Sequence, residues 1–216
     1  KKEVSLGESW TLDDLYGIAH GTTRVRFDAP ARDRVTRARA WVEKWSEAGD
    51  DAPNVYGVNT GFGALAETRV RADQMRSLQR NLIRSHAAGV GEPFGAPVAR
   101  AMIALRAQTL ALGHSGVRPV VIETLIALLD SGIVPFIPAQ GSVGASGDLA
   151  PLAHLALVIL GEGEVIDAEG RRTPSLPHLE RAKITPIVLE AKEGLALING
   201  TQMRARPSLE AEQLVR

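Results

Sequence analysis

Apolar residues recur at three- and four-residue intervals through most of this chain, the spacing of helices that bury one face. Four long stretches carry the pattern. In 29–48 the face is Val35, Ala38, Trp41, Val42 and Trp45. In 70–88 it is Met75, Leu78 and Leu82, and in 97–112 it is Val98, Met102, Leu105, Thr109 and Leu112. A fourth helix follows Arg118-Pro119 and runs to Leu129, with Ser131-Gly132 as its stop. Thr11 ahead of Asp13 and Asp14 reads as the N-cap of a shorter helix that His20-Gly21 closes. A nearly all-apolar helix reaches Leu160, with Asp148 at its N-cap position, and 190–198 and 209–216 read as short ones. Extended segments are few: the first residues, 133–138, and a surface hairpin of 164–167 and 171–174. The expected fold is mainly α, with a few short strands and a glycine-rich loop.

Composition narrows the class. The 216 residues are 44% hydrophobic and 23% charged, ordinary for a globular protein. The 25 basic and 25 acidic residues cancel, so no global field favours nucleic acid or an anionic membrane. There is no cysteine, hence no disulfide and no thiolate metal site. No apolar run reaches about 18 residues, and none reads as a signal peptide. A cytoplasmic protein is the simplest expectation. Arg106, inside an apolar helix, is read as surface-exposed, and His154 as a hydrogen-bonded structural histidine rather than a ligand. Glu164 and Asp167 have no histidine at ligand spacing, so no metal site is expected.

One stretch does not fit a purely structural reading. Gly141-Ser142-Val143-Gly144-Ala145-Ser146-Gly147-Asp148 lies between the extended segment and the apolar helix. It contains no Gly-x-Gly-x-x-Gly and no Lys-Ser or Lys-Thr, so neither nucleotide motif is present. It is not a nucleophile elbow, because Asp148 stands where Gly-x-Ser-x-Gly needs its second glycine. The small residues permit a reaction of the main chain with itself. In a tight turn the nitrogen of Gly147, unobstructed by a side chain, reaches the carbonyl carbon of Ala145. Loss of water closes an imidazolone, and loss of the Ser146 hydroxyl as a second water leaves an exocyclic methylidene. Protein side chains supply nucleophiles and bases but few electrophiles, so such a group would add chemistry.

The run from Gly141 through Asp148-Leu149-Ala150-Pro151-Leu152-Ala153-His154 resembles the signature of the aromatic amino acid ammonia-lyases and aminomutases. The resemblance implies that 4-methylidene-imidazol-5-one (MIO) forms from Ala145, Ser146 and Gly147, with Gly144 and Asp148 supporting the turn. Other family strings follow in order. Tyr56-Gly57-Val58-Asn59-Thr60-Gly61-Phe62-Gly63 is similar to the motif whose tyrosine acts as acid or base at the substrate. An unperturbed tyrosine titrates near pH ~10, so a base at neutral pH needs positive charge or donors nearby. Ser85-His86-Ala87-Ala88-Gly89 resembles the histidine-specific branch, where the phenylalanine branch has Phe-Leu and the tyrosine branch His-Leu. That implies His86, with Ser85 beside it, as contacts for an imidazole substrate. Asn199-Gly200-Thr201 resembles the motif whose asparagine bonds the prosthetic group or the substrate carboxylate.

The implied protein is the N-terminal part of an ammonia-lyase that removes ammonia from L-histidine to leave trans-urocanate, in a homotetramer. No metal, nucleotide, nucleic acid or membrane is involved. Residues 1–202 carry the resemblance, and 203–216 depart from it at Met203-Arg204-Ala205-Arg206-Pro207. The family is longer and draws a glutamine, a second tyrosine, an arginine and a glutamate from later segments. A truncated or engineered form with an incomplete site is therefore expected. Two alternatives remain: a non-catalytic folding or assembly module with uncyclised Ala-Ser-Gly, and a lyase or aminomutase acting on tyrosine or phenylalanine.

Overall fold

The computed structural model of the chain describes residues 1–49, 52–142 and 147–202, without the Ala72 side chain. Its first unit is a parallel pair. Strand β1 (Lys2–Ser5) lies beside β2 (Thr23–Arg26), with Lys2 opposite Thr23 and Ser5 opposite Arg26. Helix α1 (Leu12–Ala19) crosses between them. The Thr11 hydroxyl accepts the Asp14 N–H, and the Asp14 carboxylate accepts the Thr11 N–H, the reciprocal box that satisfies two free amides of a first turn. β2 alternates buried Thr23 and Val25 with exposed Arg24 and Arg26. The pattern spans only four residues, too short to stand out in the sequence.

Two helical groups share one continuous core. In the first, α4 (Ala96–Ala111) packs against α1, α2 (Ala29–Ser46) and α5 (Pro119–Ser131). In the second, α6 (Leu149–Ile159) packs against α3 (Ala72–His86) and α8 (Glu193–Ile198). The helices fall where periodicity predicts them, but two of the expected faces are wrong. α2 buries Ala31, Val35 and Arg39, whereas Trp41 is 63% exposed. α4 has partners on several sides and buries Met102, Ile103, Arg106 and Leu110, while Leu112 at its end is exposed. Arg106, expected at the surface, is 2% exposed. α5 ends at Gly132, whose φ of 72° closes the helix in a left-handed turn that favours glycine.

The remaining strands frame the glycine-rich loop. β3 (Val90–Pro93) pairs antiparallel with β5 (Pro138–Gln140). β4 (Val134–Pro135) adds to the expected hairpin of β6 (Glu164–Ile166) and β7 (Arg172–Pro174), giving an antiparallel sheet in the order β4-β6-β7. A short helix, α7 (Leu176–Arg181), follows the hairpin. Among the described residues no helix is long and apolar enough to cross a membrane.

Candidate functional site

Gly144, Ala145 and Ser146 lie outside the described residues, as does 203–216. The flanks of the tripeptide are defined, and they are held together. The Ser142 hydroxyl donates to Asp148 Oδ1 at 2.6 Å, joining the two ends of the loop. Asp148 is 2% exposed. It occupies the N-cap position of α6, yet its side chain makes no cap bond, because the carboxylate is turned to Ser142. Its backbone N–H donates to Gly200 O at 2.7 Å.

Gly147 has φ of 112°, and a Cβ there would sit 3.3 Å from Gly200 O. Only glycine takes that backbone readily, and only a bare residue makes that approach without displacing its neighbour. A main-chain ring built on this nitrogen needs a residue with no side chain to obstruct it, so the residues present fit an MIO group.

The loop is also fixed at its other end. Gly141 passes over Gly89, so that a Cβ on Gly141 would lie 3.1 Å from Gly89 Cα. Gly89 N–H donates to His154 Nε2 at 3.0 Å. Burial is the first cause that pushes the His154 pKa below its ordinary 6.5, and Arg172 adds to it. The ring is therefore neutral, with its proton on Nδ1, as expected of a structural histidine. Its bond ties α6 to the residue just past α3, which carries Ser85 and His86. His86 Nδ1 lies 2.9 Å from Leu82 O, and the Ser85 hydroxyl donates to the same carbonyl at 3.0 Å. A carbonyl only accepts, so Nδ1 is the donor there, and in the neutral form of an imidazole the other nitrogen, Nε2, is the acceptor.

Asn199 follows α8 and is exposed, but its carbonyl is held from within. Arg106 Nη1 donates to Asn199 O at 2.8 Å, and Gln202 Oε1 lies 3.5 Å from the same nitrogen. Burial pushes the Arg106 pKa down to about 10, so it stays charged at neutral pH. Its Nε is buried without a hydrogen-bond partner. The sequence signal for Arg106 is a lone cation inside an alanine- and leucine-rich helix.

Tyr56 reaches this cluster through α8. It is 47% exposed and meets Phe62 edge-to-face at 6.0 Å, while Gly57 to Gly61 behind it are buried. Asn59 shapes that loop: its side-chain oxygen accepts Val55 N–H at 2.7 Å, and its amide donates to Pro53 O and Trp45 O. Gly57 lies against Leu195 of α8, and Lys192 Nζ is 3.4 Å from Tyr56 O. The structure thus joins Gly147, Asp148 and Asn199-Gly200 directly, Ser85 and His86 through Gly89, and Tyr56 through α8. Among the described residues no group of histidine and acidic side chains is placed to hold a metal.

A helical core around the pinned flanks of a glycine-rich segment, with a tyrosine loop and an Asn-Gly corner beside them, defines the N-terminal region of an aromatic amino acid lyase. The model of the aromatic amino acid lyase family matches residues 10–211, and the chain belongs to that family. Over 197 residues it is 58% identical to the histidine ammonia-lyase of Sorangium cellulosum, covering 91% of this chain and 38% of that protein. The crystal structure of histidine ammonia-lyase from Trypanosoma cruzi superimposes with a TM-score of 0.86 at 42% identity, covering 97% of this chain and 40% of that one. Tyrosine aminomutase from Streptomyces globisporus gives 0.84 at 40% identity, covering 93% and 37%. The chain spans about two fifths of the length of the curated relatives it matches.

Proposed function

We propose that this chain is the MIO-forming part of a histidine ammonia-lyase, which converts L-histidine to trans-urocanate and ammonia by non-oxidative elimination. One observation carries the reading: the Asp148 amide donates to Gly200 O, so that Gly147, the last residue of the Ala-Ser-Gly string, lies against the Asn199-Gly200 corner. The histidine ammonia-lyases among its relatives, and the polar Ser85-His86 pair, support histidine over a phenol or phenyl substrate. Once formed, the group supplies the electrophile that side chains lack.

The chain's own residues do the rest. Tyr56 Oη takes the proton from the substrate β-carbon. His86 Nε2 accepts an imidazole N–H, and a site built on such a bond rejects analogues that cannot make it. Asn199 holds the substrate carboxylate or the prosthetic group. Asp148 and Gly144 fix the turn. Residues 1–202 form this unit, 203–216 are its tail, and the complete enzyme is a cytoplasmic homotetramer.

Intact mass tests ring formation. Ala145-Ser146-Gly147 cyclisation removes two waters, and an unmodified mass would show a non-catalytic module instead. A substrate panel on a full-length protein carrying this chain tests specificity. Histidine is expected to be deaminated, and a preference for tyrosine would overturn the role given to Ser85 and His86.

A further inference from the structure

Two non-glycine residues among the described ones have positive φ, Lys183 at 57° and Lys192 at 75°. Lys183 has an ordinary cause. It follows the end of α7, where Lys183 N–H bonds Glu180 O and Ile184 N–H bonds Leu179 O, the left-handed closure common at helix C-termini. Lys192 stands at the start of α8 instead, third in a turn that Glu193 N–H closes on Glu190 O at 3.1 Å, a position that favours glycine or asparagine. A lysine there strains the backbone where glycine would not, and such strain persists only when the surroundings over-determine it.

They do so here. Glu193 is 0% exposed and receives Arg118 as a fork, Nε to Oε1 and Nη2 to Oε2, each at 2.8 Å. Glu193 Oε2 also accepts Glu190 N–H at 2.8 Å, closing the turn around Lys192. Arg39 Nη1 donates to Ala191 O at 2.9 Å. The result is a half-buried lysine whose Nζ lies 3.4 Å from Tyr56 O and 5.9 Å from the centre of the Tyr56 ring. Burial lowers the Lys192 pKa from its ordinary 10.5, as expected for an ammonium drawn out of water.

We infer that Lys192 is the positioning residue of Tyr56: its ammonium donates to the Tyr56 carbonyl and lies over the face of the Tyr56 ring, holding both in one orientation. This rests on the reading of Tyr56 as the proton acceptor, whose ring and main chain the lysine holds in place. The strain at Lys192 is then retained for the side chain, since glycine would take the same backbone more easily.

The chain has two tyrosines, so a Tyr16→Phe background leaves Tyr56 alone. Its ring is followed by NMR with 13C-labelled tyrosine in Lys192→Met, Lys192→Arg and Lys192→Gly. The Met and Gly variants are expected to move the Tyr56 ring signals toward those of free tyrosine, and Arg to keep them near the parent. Lys192→Gly is also expected to melt at or above the parent temperature, because the strain is gone. Ring signals that superimpose in parent, Met and Gly would overturn the inference. So would an Arg variant that behaves like Met, or a Gly variant that melts well below the parent. The reading of Tyr56 fails separately: Tyr56→Phe with undiminished histidine turnover in a full-length protein would end it and leave the ring spectra standing.

Discussion

Asp148 shows how one side chain departs from its local propensity. Its position invites a cap bond to α6, but the carboxylate goes to Ser142 and the amide to Gly200. The loop is thereby closed at the expense of the helix start. Ser142→Ala should lower stability by about 1–3 kcal/mol, the scale of a hydrogen bond lost to a buried charged group, read from urea unfolding. It should also slow the loss of two waters followed by intact mass. His154 gives a prediction in pH. Its folded pKa lies below 6.5, so the unfolded chain binds more protons in the window just under that value. Stability therefore falls as pH drops from 7 through this window. His154→Gln should flatten that slope in melting curves taken at successive pH values, and an unchanged slope would show that the ring titrates alike in both states.

At the scale of the element, the sequence is a good guide to where helices start and stop and a poorer one to which face they bury. The Thr11 cap is local and appears as read, and the structure adds the return bond from Asp14 that makes it a box. Thr11→Ala should cost about 1 kcal/mol in unfolding free energy. Asp14 sits in the same box with Lys2 Nζ 2.6 Å away. Its pKa falls from 3.8 to about 2, chiefly through the Lys2 bond and then the Thr11 bonds. Its stabilisation is complete above the unfolded value near 3.8 and is lost as pH drops toward 2, so Asp14→Asn should remove that part of the acid sensitivity. α2 shows the limit of local reading. Its two tryptophans suggested the inner face, yet the side chain that goes in is Arg39, drawn by Ala191 O, Gly116 O and Glu43. Those partners lie up to 152 positions away along the chain, beyond the reach of any periodicity.

Across the whole molecule, buried charge decides where the site elements sit. Arg39 and Arg118 meet Glu193 at the start of α8, and Arg106 holds the carbonyl just past its end. α8 is thus fixed at both termini by cations from α2, α4 and the start of α5, and it carries the Tyr56 loop on one side and the Asn199 corner beyond it. Removing one member of a buried pair strands the other, at about 3–5 kcal/mol. Glu193→Ala should destabilise the chain by that order in denaturant melts, and disturb the Tyr56 loop before the α4–α5 core. The candidate site was legible as motifs, because tyrosine, Ser-His, Ala-Ser-Gly and Asn-Gly stand out by composition and order. Its supports were not: Arg106, Lys192, Ser142 and the Gly200 carbonyl are ordinary residues until their neighbours are known.

By itself the sequence located most of the helices, the Thr11 cap and the Ala-Ser-Gly string, since each depends on residues a few positions apart. Tertiary structure alone decided that Arg106 is buried, that Lys192 takes a glycine-like turn, and that Gly147 meets Gly200. Such contacts join parts of the chain far apart in order. A buried charge or strained backbone is stable only when those distant partners hold it, and local spacing contains no record of them.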